Sequence, residues 1–223
     1  MHIGLIGGIG PAATDFYYRA LIQKFKQSGN DLEASIVHAD AQTLLSNMAQ
    51  SREADQVAIY SRLTDRLKNA GAECVIVTSI AGHFCIDAFK QVSPLPVIDM
   101  LEEVDRAVSK LGLKRLGILG TETVMASRFY NAVKDAEVIP PGGPMLEQVH
   151  HAYVDMATSG IATQDHQNIF DTAGTTLISE QGADAIMLGG TDLALVYNEG
   201  HSPFPVLDCA AVHVDAIFER AVG

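Results

Sequence analysis

Apolar residues in this chain fall into short runs that alternate with longer periodic stretches. Ile3–Ile6 is short and apolar, and Gly7-Gly8-Ile9-Gly10-Pro11 breaks it. Over 12–27, Ala13, Phe16, Tyr17, Ala20, Leu21 and Phe25 return at helical spacing on one face, and Pro11 sits in the first turn, where helices accept proline. The same reading predicts further strands over 34–38, 73–78, 96–98, 115–119, 136–139, 184–188 and 205–207. Helices are predicted over 52–70, 100–110, 122–134, 145–158, 165–181 and 209–221, and 40–50 reads as a loop. Alternation of this kind specifies an α/β fold with mostly parallel sheet.

The pattern also repeats. Ile3-Gly4-Leu5-Ile6-Gly7 with Ala13–Tyr17 aligns with Leu116-Gly117-Ile118-Leu119-Gly120 with Ala126–Tyr130. Gly71-Ala72-Glu73 before Cys74–Val77 aligns with Gly182-Ala183-Asp184 before Ala185–Leu188, and Leu95–Asp99 aligns with Phe204–Asp208. Three segments in one order at a spacing of about 110 residues indicate an internal duplication. Two similar α/β domains follow, the first from 1–98 plus 207–223, with the C-terminal helix returning to it, and the second from 99–206. Ligands of open α/β sheets bind beyond the carboxyl ends of the strands. Loops 7–11 and 120–124, and loops 78–83 and 189–193, are then expected to face one another across a cleft. Equivalent groups on two faces suit stereochemical inversion at one carbon.

Composition narrows the partners. Fifteen Lys and Arg against 27 Asp and Glu give a net charge of −12, which argues against a nucleic-acid binder. A small molecule is the expected partner, and an anionic one would need a local cationic or amide-lined site. Without a cationic leader or a long apolar segment, a signal peptide and a membrane span are not expected, and the cytoplasm is the expected location. The cysteines Cys74, Cys85 and Cys209 show no CxxC spacing, so neither a disulfide framework nor a zinc site is expected. Cys74 reads as core, whereas Cys85 and Cys209 are candidate thiols. The adjacent His150 and His151 cannot share a helix face, so no metal site is expected there.

The loops carry a resemblance. Ile3–Pro11 followed by Ala13-Thr14 and Tyr17-Tyr18-Arg19, Gly182–Leu193, and Pro205-Val-Leu-Asp208 with His213 are similar to motifs of the aspartate/glutamate racemase family, and most of all to its aspartate-racemase branch. The resemblance implies two Rossmann-like domains related by a pseudo-twofold axis, an active-site cleft between them, no cofactor and a homodimer. It also implies a cysteine in each loop, acting as paired acid and base. Placing His83 on the family histidine puts Ser79 at the first cysteine, with Ile80 and Ala81 at the following Asn-Thr. The second cysteine falls on Gly190, followed by Thr191. The internal repeat pairs Ser79 with Gly190 as well.

Neither position holds a thiol. A cysteine titrates near 8.5 and readily becomes a base, a serine needs an activating partner, and glycine has no acid–base group. The two-thiol mechanism therefore cannot run here as written. His83 is the nearest titratable replacement. Ser79, Asp192, Glu122 and Arg52 are further candidates. Gly8, Ile9, Gly10, Ile80, Ala81, Thr121, Gln148 and Thr191 are the expected substrate-contacting positions, and Val124 stands where relatives often carry a hydroxyl. The expected function is a cofactor-independent isomerase moving a proton at a carbon of a small carboxylate, aspartate or glutamate by default. A non-catalytic carboxylate binder and a one-base isomerase or decarboxylase are the alternatives. Gly8–Ala13 also fits the dinucleotide pattern G-x-G-x-x-A, but the acid that should end the second strand lies beyond it, at Asp40.

Overall fold

The structure is a computed structural model that describes residues 1–197 and 202–223. The chain divides into two units, Met1–Asp99 with His213–Gly223, and Met100–Val212.

Unit 1 opens with β1 (His2–Gly7), which is buried along its whole length. A parallel strand covered on both faces reads as a continuous apolar run, which is why Ile3–Ile6 shows no alternation. Helix α1 (Pro11–Ser28) buries Ala13, Tyr17, Leu21 and Phe25, the face its periodicity predicts. Each large side chain removed from water there contributes about 1.5–3 kcal/mol. Next come β2 (Glu33–His38), α2 (Ala41–Ala49), α3 (Glu53–Asn69) and β3 (Cys74–Val77). A 3-10 turn (Ala81–Cys85) and α4 (Ile86–Val92) follow.

Unit 2 runs through α5 (Met100–Leu111), β4 (Arg115–Gly120), α6 (Glu122–Ala126), β5 (Glu137–Ile139), α7 (Pro144–Ser159), α8 (Gln164–Ser179) and β6 (Ala185–Gly189). A 3-10 turn (Thr191–Leu195), β7 (Val206–Asp208) and α9 (Cys209–Val222) complete it, with α9 joining unit 1 from His213 onward.

Both sheets are parallel, ordered β2-β1-β3 and β5-β4-β6-β7. Their registers match through the repeat. Ile3 pairs with Ala34 and Cys74, as its counterpart Leu116 pairs with Val138 and Ala185. Val97 bridges to Val75 as Val206 pairs with Ile186. The duplication is thus present in the hydrogen-bonding order of both units.

Four segments differ from expectation, the first being α4 (Ile86–Val92), which lies outside the predicted helices. Residues 41–49 are helical because Asp40 caps them, its Oδ1 accepting the Thr43 N–H at 2.8 Å, while Leu44 and Asn47 turn inward. Of 96–98, only Val97 makes a bridge. The predicted helix 122–134 stops at Ala126, and Arg128–Asn131 then form a left-handed turn with φ of 52–59°. The Asn131 N–H donates to Ser127 C=O at 2.9 Å, and the Tyr130 N–H donates to Ser127 Oγ at 3.0 Å. Such φ values cost L-residues roughly 1–2 kcal/mol each, and complete burial of Phe129 offsets part of that cost. No helix among the described residues is long and apolar enough to cross a membrane.

Candidate functional site

In unit 1 the candidate residues collect at the carboxyl ends of β1 and β3. Gly7 lets α1 approach, because a Cβ there would stand 2.5 Å from Thr14 Oγ1. Gly8 has φ of 155°, and a Cβ would meet Ala39 O at 2.7 Å, so only glycine fits this turn. The turn ends at Gly10, before an α1 whose N-terminus has no side-chain cap and no acidic residue in its first turn. The Thr78 hydroxyl donates to Ile6 C=O at 3.1 Å and lies 3.0 Å from Thr14 Oγ1, tying the two strand ends together.

Ser79, Ile80, Ala81 and His83 are all buried. A carbonyl only accepts, so His83 Nδ1 carries the hydrogen and donates it to Ser79 C=O at 2.7 Å. That leaves Nε2 with a lone pair and no partner among the described residues. The imidazole thus holds the Ser79 backbone, not its hydroxyl. Burial pushes its pKa down, with the nearby Asp99 opposing, so His83 is neutral and a weak base. His213 stands edge-on to it, with ring centroids 6.3 Å apart. Its Nε2–H donates to Ile98 C=O at 2.9 Å, and Nδ1 accepts the Tyr17 hydroxyl at 2.8 Å. Burial pushes the His213 pKa down to about 3.

A buried polar chain supports the loop from behind. Asn47 donates to Gln56 at 3.0 Å, Gln56 to Tyr60 Oη at 2.9 Å, and Tyr60 to Gly82 C=O at 3.2 Å. Arg52, by contrast, is exposed and bonds Ser46 Oγ at 2.9 Å. Asp40 is occupied as the cap of α2, so the acid the dinucleotide pattern requires has other work.

In unit 2 the corresponding strand ends carry Thr121 and the segment Gly190–Asp192. Thr121 Oγ1 accepts the Val124 N–H at 3.4 Å and caps α6, and Val124 is fully buried. The Glu122 side chain is exposed, while its N–H donates to His150 Nδ1 at 3.1 Å. Thr191 and Asp192 are buried. Gln148 is exposed on α7.

The residue that sequence reasoning missed is Tyr153. A Cβ on residue 190 would stand 2.7 Å from Tyr153 Oη, and nearer still to ring atoms Cζ and Cε2. The phenol occupies the room a side chain at 190 would need. Its hydroxyl donates to Asp192 Oδ2 at 2.9 Å, while Asp192 Oδ1 is buried without a partner among the described residues. Burial pushes the Asp192 pKa up despite the Tyr153 hydrogen bond, and burial with the neighbouring carboxyl pushes the Tyr153 pKa well up. The only sequence signal for Tyr153 was its place in the apolar stripe Val149, Ala152, Tyr153, Met156, which reads as core.

The three thiols lie elsewhere and are buried. Burial pushes Cys85 up to about 12 and Cys209 well above its usual range, and raises Cys74. None is activated, which removes Cys85 and Cys209 as candidates. Among the described residues no three His, Cys, Asp or Glu side chains gather as metal ligands.

This architecture has close counterparts. The broad specificity amino-acid racemase RacX of Bacillus subtilis (strain 168) is 23% identical over 218 residues, covering 94% of this chain and 93% of the relative. An aspartate racemase homologue from Pyrococcus horikoshii OT3 has a TM-score of 0.84 at 23% identity, over 100% of this chain and 99% of that one. A Yersinia pestis protein provisionally assigned as an Asp/Glu racemase has the same TM-score at 26% identity, with both chains covered completely. The match to the family described as Asp/Glu/Hydantoin racemase extends over residues 6–217. With that much of its length matched, and its strand order repeated in both units, the chain belongs to the Asp/Glu/hydantoin racemase family.

Proposed function

We propose that the protein is a cofactor-independent isomerase that moves a proton on and off a carbon of a small carboxylate, and that it does so without a pair of thiols. One combined observation supports this. The family match spans residues 6–217, in both units, and the motif resemblance puts Ser79 and Gly190, neither of them a thiol, at the positions where it expects cysteine. A carboxylate could take N–H donors from the Gly8–Gly10 turn and from Ala12, since Pro11 has no N–H and the Ala13 and Thr14 N–H groups donate to Gly10 C=O. In unit 1, Ser79 Oγ and His83 Nε2 are the groups at hand for proton transfer, and both are weaker than a thiolate.

Aspartate and glutamate are the first substrates to test. The B. subtilis relative is described as acting on a broad range of amino acids, so the panel extends to neutral and basic ones. Each enantiomer is incubated in heavy water with no added cofactor. Loss of the α-proton signal and decay of circular dichroism are then followed. Enzyme-dependent exchange with at least one amino acid is the expected result, and no exchange across the panel overturns the reading. The absence of any acid–base group at Gly190 favours a second reading, a carboxylate binder without turnover. Saturable thermal stabilisation by an amino acid that shows no exchange would support it.

A further inference from the structure

The side chain that Gly190 lacks is replaced in space by one from another element. Tyr153 reaches from α7 to the carboxyl end of β6, and its hydroxyl stands 2.7 Å from where the Cβ of residue 190 would be. A hydroxyl thus occupies the neighbourhood a cysteine sulfur at 190 would reach. Asp192, two residues on, accepts that hydroxyl at 2.9 Å. Asp192 is 3% exposed, no ion pair reaches it among the described residues, and its Oδ1 has no partner there. A buried carboxyl without a counter-charge or a full set of donors keeps its proton.

We propose that Tyr153 and Asp192 form the proton-transfer pair of unit 2, with Tyr153 exchanging a proton with the carbon next to a small substrate's carboxylate and Asp192 supplying and recovering it. This rests on the proton-transfer reading above and names a group that performs it. The 2.9 Å contact between Tyr153 Oη and Asp192 Oδ2 reverses with protonation: Oδ2 of the carboxylate accepts the phenol hydrogen, whereas the acid protonated on Oδ2 donates to Oη and leaves the phenol hydrogen free to point elsewhere. When the enolate form of the substrate is protonated, its electron pair forms the new C–H bond as the Tyr153 O–H bond breaks. The Asp192 O–H bond breaks in turn as its proton passes to Oη. One negative charge leaves the substrate and one appears on Asp192, and Tyr153 ends as it began. Proton abstraction is the reverse: Asp192 as carboxylate takes the phenol proton while Oη takes the proton from carbon. A phenol that relays in this way never rests as phenolate, in keeping with its buried surroundings.

The test is α-proton exchange in heavy water by the full chain and three variants. Tyr153→Phe keeps the ring in the space beside Gly190 and removes only the hydroxyl. It is expected to lower kcat for exchange by ~100-fold or more, with KM within about threefold. Asp192→Asn is expected to lower kcat by at least ~10-fold at unchanged KM, and Asp192→Glu to recover part of that loss. Tyr197→Phe is the control, because Tyr197 makes a similar bond to Asp171 at 2.8 Å. It should leave kcat within about twofold, and an equal loss there would reduce the Tyr153 effect to general damage and overturn the proposal. Exchange that survives Tyr153→Phe within about twofold overturns the pair but leaves the proton-transfer reading intact. A wild type that exchanges nothing across the panel overturns that reading, and the pair with it. Infrared difference spectra against Asp192→Asn need no substrate. A protonated-carboxyl stretch at neutral pH, lost in the variant, supports the relay, and its absence overturns it.

Discussion

At the scale of single residues, positions 190 and 153 form one coupled pair. Gly190 and Tyr153 are complementary: the glycine has no Cβ and the phenol uses the room. A thiol cannot simply be restored. Gly190→Cys is expected to destabilise the protein by about 1–3 kcal/mol through overpacking. Tyr153→Ala alone leaves a cavity and costs about 3–5 kcal/mol. The double variant should cost less than the sum, with a coupling of roughly 1 kcal/mol or more in the favourable direction. Urea denaturation of the four proteins measures this, and additive costs would show that the two positions do not share space. The sequence shows plainly that neither position 79 nor position 190 is a cysteine, because a residue's identity is local. It could not display the phenol, because Tyr153 lies 37 positions before Gly190 by residue number and meets it only after α7 packs.

At the scale of elements, apolar periodicity located most helices and strands well. Buried parallel strands and one-faced helices leave strong local signals. It failed where a cap or a change of hand decided the outcome. Asp40 starts α2 in a stretch that reads as loop, and the left-handed turn at Arg128–Asn131 ends a helix that periodicity continues. Arg128 has φ of 52° and an exposed side chain. Arg128→Gly removes a left-handed penalty of about 1–2 kcal/mol at an unfolded-state cost of about 0.5–1 kcal/mol. A net gain of about 0.5 kcal/mol is expected as a raised urea midpoint, and a lowered midpoint would mean the side chain outweighs the strain.

At the scale of the whole molecule, pH bears on the buried histidines. His213 has a folded pKa of about 3 and His83 is shifted the same way, against about 6.5 when unfolded. Below 6.5 the unfolded chain therefore binds more protons than the folded one. Their contribution is fully present above about pH 6.5 and is lost as pH falls toward the folded values, at up to about 1.4 kcal/mol per pH unit for each histidine. The thermal midpoint should fall between pH 7 and pH 5, and His213→Gln should flatten that slope. Asp192, with its pKa raised by burial, opposes this trend, so the comparison with His213→Gln isolates the histidine share, and an unchanged slope in that variant would show that His213 titrates normally.

The sequence by itself determined the α/β class, the internal repeat, the family and the absence of thiols at positions 79 and 190. All of these are written in local pattern or in motif order. Only the tertiary structure decided what surrounds those two positions. His83 is locked by a backbone carbonyl in unit 1, and a tyrosine–carboxyl pair fills the room beside Gly190 in unit 2. The physical reason is the same for both. Burial and hydrogen-bond partners set a group's protonation and reach, and those partners come from elements that only packing brings together.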